Sequence, residues 1–176
     1  MNSRSKELEA ESWAFALAIY ARPGVPEACL ALQNEAGVDV MMLLTATFAA
    51  VKHRIVLTPD EIKAMDAACR PWREQVVWRL RAVRTDLKTG PRPAPSHETE
   101  QLRSKVKALE LEAEKRQNQL LAECLPTRTA ANANVTAEQL RAVLENVVSL
   151  FAERQGAKPN LASSIQTIAV AAQNIS

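Results

Sequence analysis

Between Trp13 and Val51 the chain runs WAFALAIYARPGVPEACLALQNEAGVDVMMLLTATFAAV, interrupted at Pro23-Gly24 and Gly37 and apolar enough to form the centre of a single core from three short helices. Trp13 to Ala21 is apolar on every side and has no face to offer water, so that segment should be surrounded by other helices, whereas Val25, Cys29 and Leu32 of the second helix fall on one face. The first starts near Ser5, where Glu7, Glu9 and Glu11 suit the positive end of the helix dipole, and stops at Pro23-Gly24. Val25-Pro26 opens the second, with proline in the first turn, and Gly37 closes it in a left-handed conformation. Asp39 is the natural N-cap of the third, which carries Val40, Leu43, Leu44, Thr47, Phe48 and Val51 at helical spacing.

Downstream, Thr58-Pro59-Asp60-Glu61 is a capping box and starts a short helix with Ile62, Met65 and Cys69 inward. Pro71 predicts a break or kink. A fifth helix follows with Trp72, Val76, Leu80, Val83 and Leu87 on one stripe and Arg73, Arg81, Arg84 and Lys88 on a neighbouring face. The segment TGPRPAPS, residues 89–96, reads as an extended connector. A long helix from Glu98 to Cys124 then repeats Leu102, Val106, Leu109, Ala113 and Leu120 at near-heptad spacing, interrupted at Arg116 or Gln117. After a polar break, Thr136 opens a helix bearing Leu140, Val143, Leu144, Val147, Val148 and Phe151, ended by Gly156 and Pro159. A last helix lies between Asn160 and Ser176, with Leu161, Ile165, Ile168 and Ala172 on its stripe.

No alternating pattern of strand type persists, so the fold class is all-α. The parts are a helical core bundle over 1–88, a proline-rich linker over 89–97, a long helix over 98–125 that packs on the core or on a partner, and a linker with a C-terminal helical hairpin over 126–176. Two short amphipathic helices cannot hold themselves together. A homodimer or a stable heteromeric contact is therefore expected, with Leu102, Val106, Leu109, Leu140, Leu144, Val147, Phe151, Ile165 and Ile168 as the candidate oligomer interface.

Lysine and arginine number 22 against 20 aspartates and glutamates, so the totals exert no global pull toward nucleic acid or anionic membrane. Cys29, Cys69 and Cys124 are an odd set with no CxxC spacing, which fits a reducing compartment. The opening residues MNSRSKELEAES have no apolar run of signal-peptide type, and Val40 to Val51 is too short to span a bilayer. A cytoplasmic location and no membrane contact are expected.

The first half resembles an uncharacterised proteobacterial family of small helical proteins, a domain of unknown function. The resemblance rests on Trp13, Phe15, Leu17, Tyr20, Pro23-Gly24-Val25, Cys29-Leu30, Leu32-Gln33, Gly37, Asp39-Val40 and Leu43-Leu44. It resumes at Trp72, Val76, Leu80-Arg81, Arg84 and Leu87-Lys88 and covers roughly residues 10–125. It implies no activity. The family tends to have asparagine where this chain has Met41, and the hairpin after Leu125 is an addition to the family's usual length.

Candidate chemistry is sparse. Glu35 and Asp39 could act as a carboxylate pair at a pocket mouth, or simply be a solvated glutamate and an N-cap. His53 and His97 lack neighbouring His or Cys, and no phosphate-cradling or nucleophile-elbow motif is present, so no metal, cofactor or catalytic residue is expected. Trp13, Tyr20, Asp39 and Trp72 could line a ligand pocket between helices one, three and five. The basic face, Arg73, Arg81, Arg84 and Lys88, could grip an acidic protein partner or, as the weaker reading, nucleic acid. Read structurally, it pairs with Glu110, Glu112 and Glu114 of the long helix. The leading expectation is a non-catalytic intracellular interaction module that self-associates through residues 98–176.

Overall fold

The computed structural model describes residues 3–128, 134–156 and 161–175. Pro159 and Asn160, where the sequence predicts a helix end and a helix start, lie outside the described residues. The elements, in order, are α1 (Ser3–Tyr20), α2 (Val25–Ala36), α3 (Val40–His53), α4 (Pro59–Trp72), a π-helical turn (Arg73–Val77), α5 (Trp78–Thr89), α6 (His97–Glu123), α7 (Ala137–Gln155) and α8 (Ala162–Gln173). Among the described residues there is no strand, and the fold is all-α.

The local signals act as their chemistry dictates. Asp39 Oδ1 accepts from the Met42 amide at 3.2 Å, and complete capping boxes sit at Thr58/Glu61, Ser96/Thr99 and Thr136/Gln139. Gly37 closes α2 at φ 64°, where glycine alone avoids strain. A Cβ at this position would also stand 2.0 Å from Gln155 Nε2. Gly37→Ala should therefore cost about 1–2 kcal/mol, the usual penalty for a left-handed L-residue. In a thermal melt that corresponds to a drop of about 2–8 °C for a domain of this size.

Pro71 does not break the chain. The helix runs on through it into a π turn, and α4, the turn and α5 form one continuous rod. The turn inserts one residue into the helical register, and the inward face moves with it. Arg73 and Val77 are buried, whereas the expected stripe of Val76, Leu80 and Leu87 is only half-buried and Val83 is exposed. α5 packs on the N-terminal half of α6 as an arm, and α6 continues from there along α1, α3 and α4.

The C-terminal hairpin needs no second copy. α7 lies on α3, α2 and α4, α8 lies on α2 and α3, and Leu140, Leu144, Val147, Phe151, Ile165 and Ile168 are all buried in the core that also holds Phe15, Leu32 and Phe48. These six were expected to form an oligomer interface; they are the interior of one chain instead. The apolar surface they required is provided by the buried face of α2, Val25, Cys29, Leu32 and Ala36, and by α3, which is buried nearly all round from Met42 to Ala50. Val106 is buried as well, so of the expected interface only Leu102 (49% exposed) and Leu109 (53% exposed) face solvent. No helix among the described residues is long and apolar enough to cross a membrane.

Candidate functional site

At the centre of the rod sits Arg73, 1% exposed and without the hydration that would normally hold its charge. Its Nη1 donates to Asp39 Oδ2 at 3.0 Å and lies 2.9 Å from Asp66 Oδ1. The guanidinium plane is held between rings, its Cζ 5.5 Å from the centroid of Trp78 and 5.1 Å from that of Phe151. Asp39 Oδ2 accepts a second bond from Gln117 Nε2 on α6. Asp66, fully buried, is met by Arg70 at 2.7 Å and by Arg154 from the end of α7. One ion network thus ties α3, α4, the π turn, α6 and α7 together.

Burial would raise the Asp66 carboxyl, but Arg154, Arg70 and Arg73 outweigh it and hold it below the ordinary carboxylate range. Glu110 is held low in the same way, burial being overcome by Arg84 and Arg81. Groups with depressed native values stabilise the fold above their unfolded values near pH 4 and lose that contribution as pH falls through the native value. Urea midpoints should therefore decline on acidification below about pH 4. Glu114 runs the other way: burial above all, with Glu110 adding, raises its carboxyl against the pull of Arg81. Its contribution is present at low pH and lost as pH rises through the raised value.

Above this floor opens a cavity of about 820 Å³, within the usual range for ligand sites. Its walls are Trp13, Ala16, Leu17 and Tyr20 of α1, Cys29, Leu30 and Gln33 of α2, and Val40, Met41 and Leu44 of α3. Asp39 at the N-cap of α3, Arg73 and Val77 of the π turn, Trp78, Arg81 and Ala82 of α5, Leu111, Glu114 and Gln117 of α6, and Gln155 at the end of α7 also line it. Large apolar side chains collect at its mouth, where Leu17, Tyr20, Leu30, Trp78 and Leu111 are all exposed. The second half of α1, expected to be enclosed on every side, leaves Leu17 and Tyr20 open because this is where the cavity lies.

Of the residues expected at a pocket, Trp13, Tyr20 and Asp39 line the cavity. Trp72 does not: it ends α4, ahead of the π turn, and its indole N–H donates to Ala113 O at 3.0 Å. Glu35 is exposed and makes no pair with Asp39. The basic face is not one face. Arg73 is buried, Arg81 pairs with Glu110 and Glu114 at 2.9 and 2.7 Å, Arg84 pairs with Glu110, and Lys88 is exposed. Asp66, Gln117, Trp78, Leu111 and Arg154 were missed. The one available hint was Gln117, the residue breaking the apolar seam of α6, and its amide is what the site uses. Burial pushes the Cys29 and Cys69 thiols up to about 12. No group of three or more His, Cys, Asp or Glu suited to a metal ion occurs among the described residues.

Comparison with curated proteins and with solved structures finds no match. The family model described as a protein of unknown function (DUF2390) matches residues 11–121, which include every wall of the cavity except Gln155, and the chain belongs to that family.

Proposed function

We propose that the protein is a non-catalytic binding module whose binding element is the cavity between α1, α2, α3, α5 and α6, and that its ligand is a small molecule with a substantial apolar body. The observation that carries this reading is the gathering of Leu17, Tyr20, Leu30, Trp78 and Leu111, exposed and apolar, around a concave site with a fixed polar floor. Scattered surface leucines need no explanation, but a rimmed apolar concavity marks a recognition site. Much of the family resemblance falls on it: Trp13, Leu17, Tyr20, Cys29, Leu30, Gln33, Asp39 and Arg81 all line the cavity. A binding rather than a catalytic role is supported by the polar groups themselves. Asp39 is committed to three donors and the thiol in the wall is held protonated. The free cysteines fit a reducing, cytoplasmic setting.

A ligand that binds only the folded state stabilises it by about 2.7 kcal/mol at a hundredfold excess over Kd. For a chain of this size the melting temperature should then rise by about 5–10 °C, with saturable change in Trp13 and Trp78 fluorescence. Ala82→Trp, which places an indole in the wall of the cavity, should abolish both responses. An unchanged response in that variant, or silence across apolar probes, would contradict the proposal.

A second reading, self-association or contact with a protein partner, draws its support from the α5–α6 arm, where Val83, Leu102 and Leu109 are exposed. Size exclusion with light scattering tests it, a concentration-independent monomer speaking against self-association. A nucleic-acid role has less support, since Arg81 and Arg84 are already paired.

A further inference from the structure

We infer that the face of the α5–α6 arm turned away from the cavity seats the same face of a second copy of this chain, the two α6 helices lying antiparallel about a two-fold axis. This rests on the second reading above, names its partner, and does not depend on what the cavity holds.

None of the described residues Trp78 to Thr89 is buried, although α5 carries Leu80, Val83 and Leu87. The helix packs on α6 and on the π turn, and Val83 stays exposed. The cavity takes Trp78, Arg81, Ala82 and Thr85 from α5 and Leu111 and Glu114 from α6. Helical spacing then sets Leu80, Val83 and Leu87, with Leu102 and Leu109, on the opposite side of the arm. Single surface leucines are ordinary, but an apolar stripe on each of two neighbouring helices marks an interface.

The charges among the leucines say what covers them. Along this side of α6 stand Glu98, Leu102, Lys105, Leu109, Glu112 and Arg116, alternately four and three residues apart. All six are exposed, and among the described residues none of the four charged ones is in an ion pair. A parallel copy would set each charge against its like. Turned end for end, the second helix instead puts its Arg116 opposite Glu98. The same register brings Lys105 within three residues of the partner's Glu112, about 4.5 Å along the axis, and Leu102 equally near the partner's Leu109. The two-fold repeats each contact, so every charge on the seam meets its opposite. A partner of one sign would be repelled by half of the seam, whereas this face fits itself.

Sedimentation equilibrium over roughly 1 μM to 1 mM protein, the range suited to a small interface, is the test. The wild-type chain should pass from monomer to dimer. One variant carries Lys105→Glu with Arg116→Glu and another Glu98→Lys with Glu112→Lys. Each should weaken dimerisation by about tenfold or more, because both kinds of pair become repulsions. Mixed in equal amounts, the two variants should dimerise about as well as the wild type, since every acid again meets a base. Leu102→Ser with Leu109→Ser, which alters no charge, should also give a monomer, with circular dichroism confirming that each variant keeps its helices. A wild-type monomer across the whole range overturns self-association altogether. A dimer undiminished by the serine pair or by the charge reversals overturns this face. Weakening without restoration in the mixture overturns the antiparallel register and leaves the second reading intact.

Discussion

Asp66→Asn will lower the free energy of unfolding by about 3–5 kcal/mol, the range for removing one partner of a buried ion network. Asp66 is fully buried and faces Arg70, Arg73 and Arg154 together, so the amide leaves guanidiniums from α4, the π turn and α7 without their shared counter-charge. Arg70 and Arg154 can turn toward water, being partly exposed; Arg73 cannot. The measurement is a urea titration at pH 7. A change under about 1 kcal/mol would show the network to be as weak as a surface pair. The same variant should flatten the acid decline in stability, since the depressed carboxyl of Asp66 is one of its sources.

Deleting the C-terminal hairpin from Val135 onward should leave a chain that no longer unfolds cooperatively. The deletion removes Leu140, Leu144, Val147, Phe151, Ile165 and Ile168 from the core they share with α2 and α3. At about 1.5–3 kcal/mol for each fully buried side chain, these six contribute roughly 9–18 kcal/mol. That is as large as the whole stability of an ordinary domain, about 5–15 kcal/mol. Circular dichroism and a thermal melt of the truncated chain check it. A sharp, native-like transition in residues 1–134 would mean that the hairpin is an accessory and that the core is complete without it. A milder form of the same experiment is Phe151→Ala, which should cost about 3–5 kcal/mol, because the ring fills the core and also covers one face of Arg73.

Much of this architecture is legible in the residues. Proline, glycine and capping signals act over three or four positions, so Gly37, Asp39, Thr58 and Thr136 announce their turns without help from the rest of the chain. Reading inward faces requires register as well, and here the π turn after Pro71 defeats a fixed 3.6-residue period. One inserted residue puts Val77, rather than Val76, on the inward face that Arg73 begins. On α6 the apolar seam suggests Leu102 and Leu109, whereas the helix buries Glu110, Gln117 and Asn118. Those polar groups are stable inside because other helices bring matching partners: Arg81 and Arg84 for Glu110, Asp39 for Gln117, and Ser12 at 2.8 Å for Asn118. The partners lie up to 106 positions away in the chain, beyond the reach of local spacing. Asp66 belongs to the same class. The i, i+4 relation to Arg70 reads as a solvated pair, and only the return of α7 with Arg154 makes it a buried junction.

The hairpin teaches the complementary lesson. An apolar stripe demands a cover, but the stripe alone does not say which copy supplies it. α3 is buried nearly all round, so it serves α1 and α6 as well as α7 and α8, while α2 turns its one buried face chiefly to α7 and α8. That double use removes the demand for a second subunit from all but the α5–α6 arm.

The claim that matters most is that the cavity is where this protein meets its ligand. Amide and indole ¹H–¹⁵N correlation spectra, recorded while decanol is titrated in, test it most directly. Perturbations should cluster on Trp13, Tyr20, Leu30, Val40, Trp78 and Leu111, with the Trp13 and Trp78 indole signals moving furthest. Shifts confined to Val83, Leu102 and Leu109 on the arm, or no saturable shift anywhere, would contradict it.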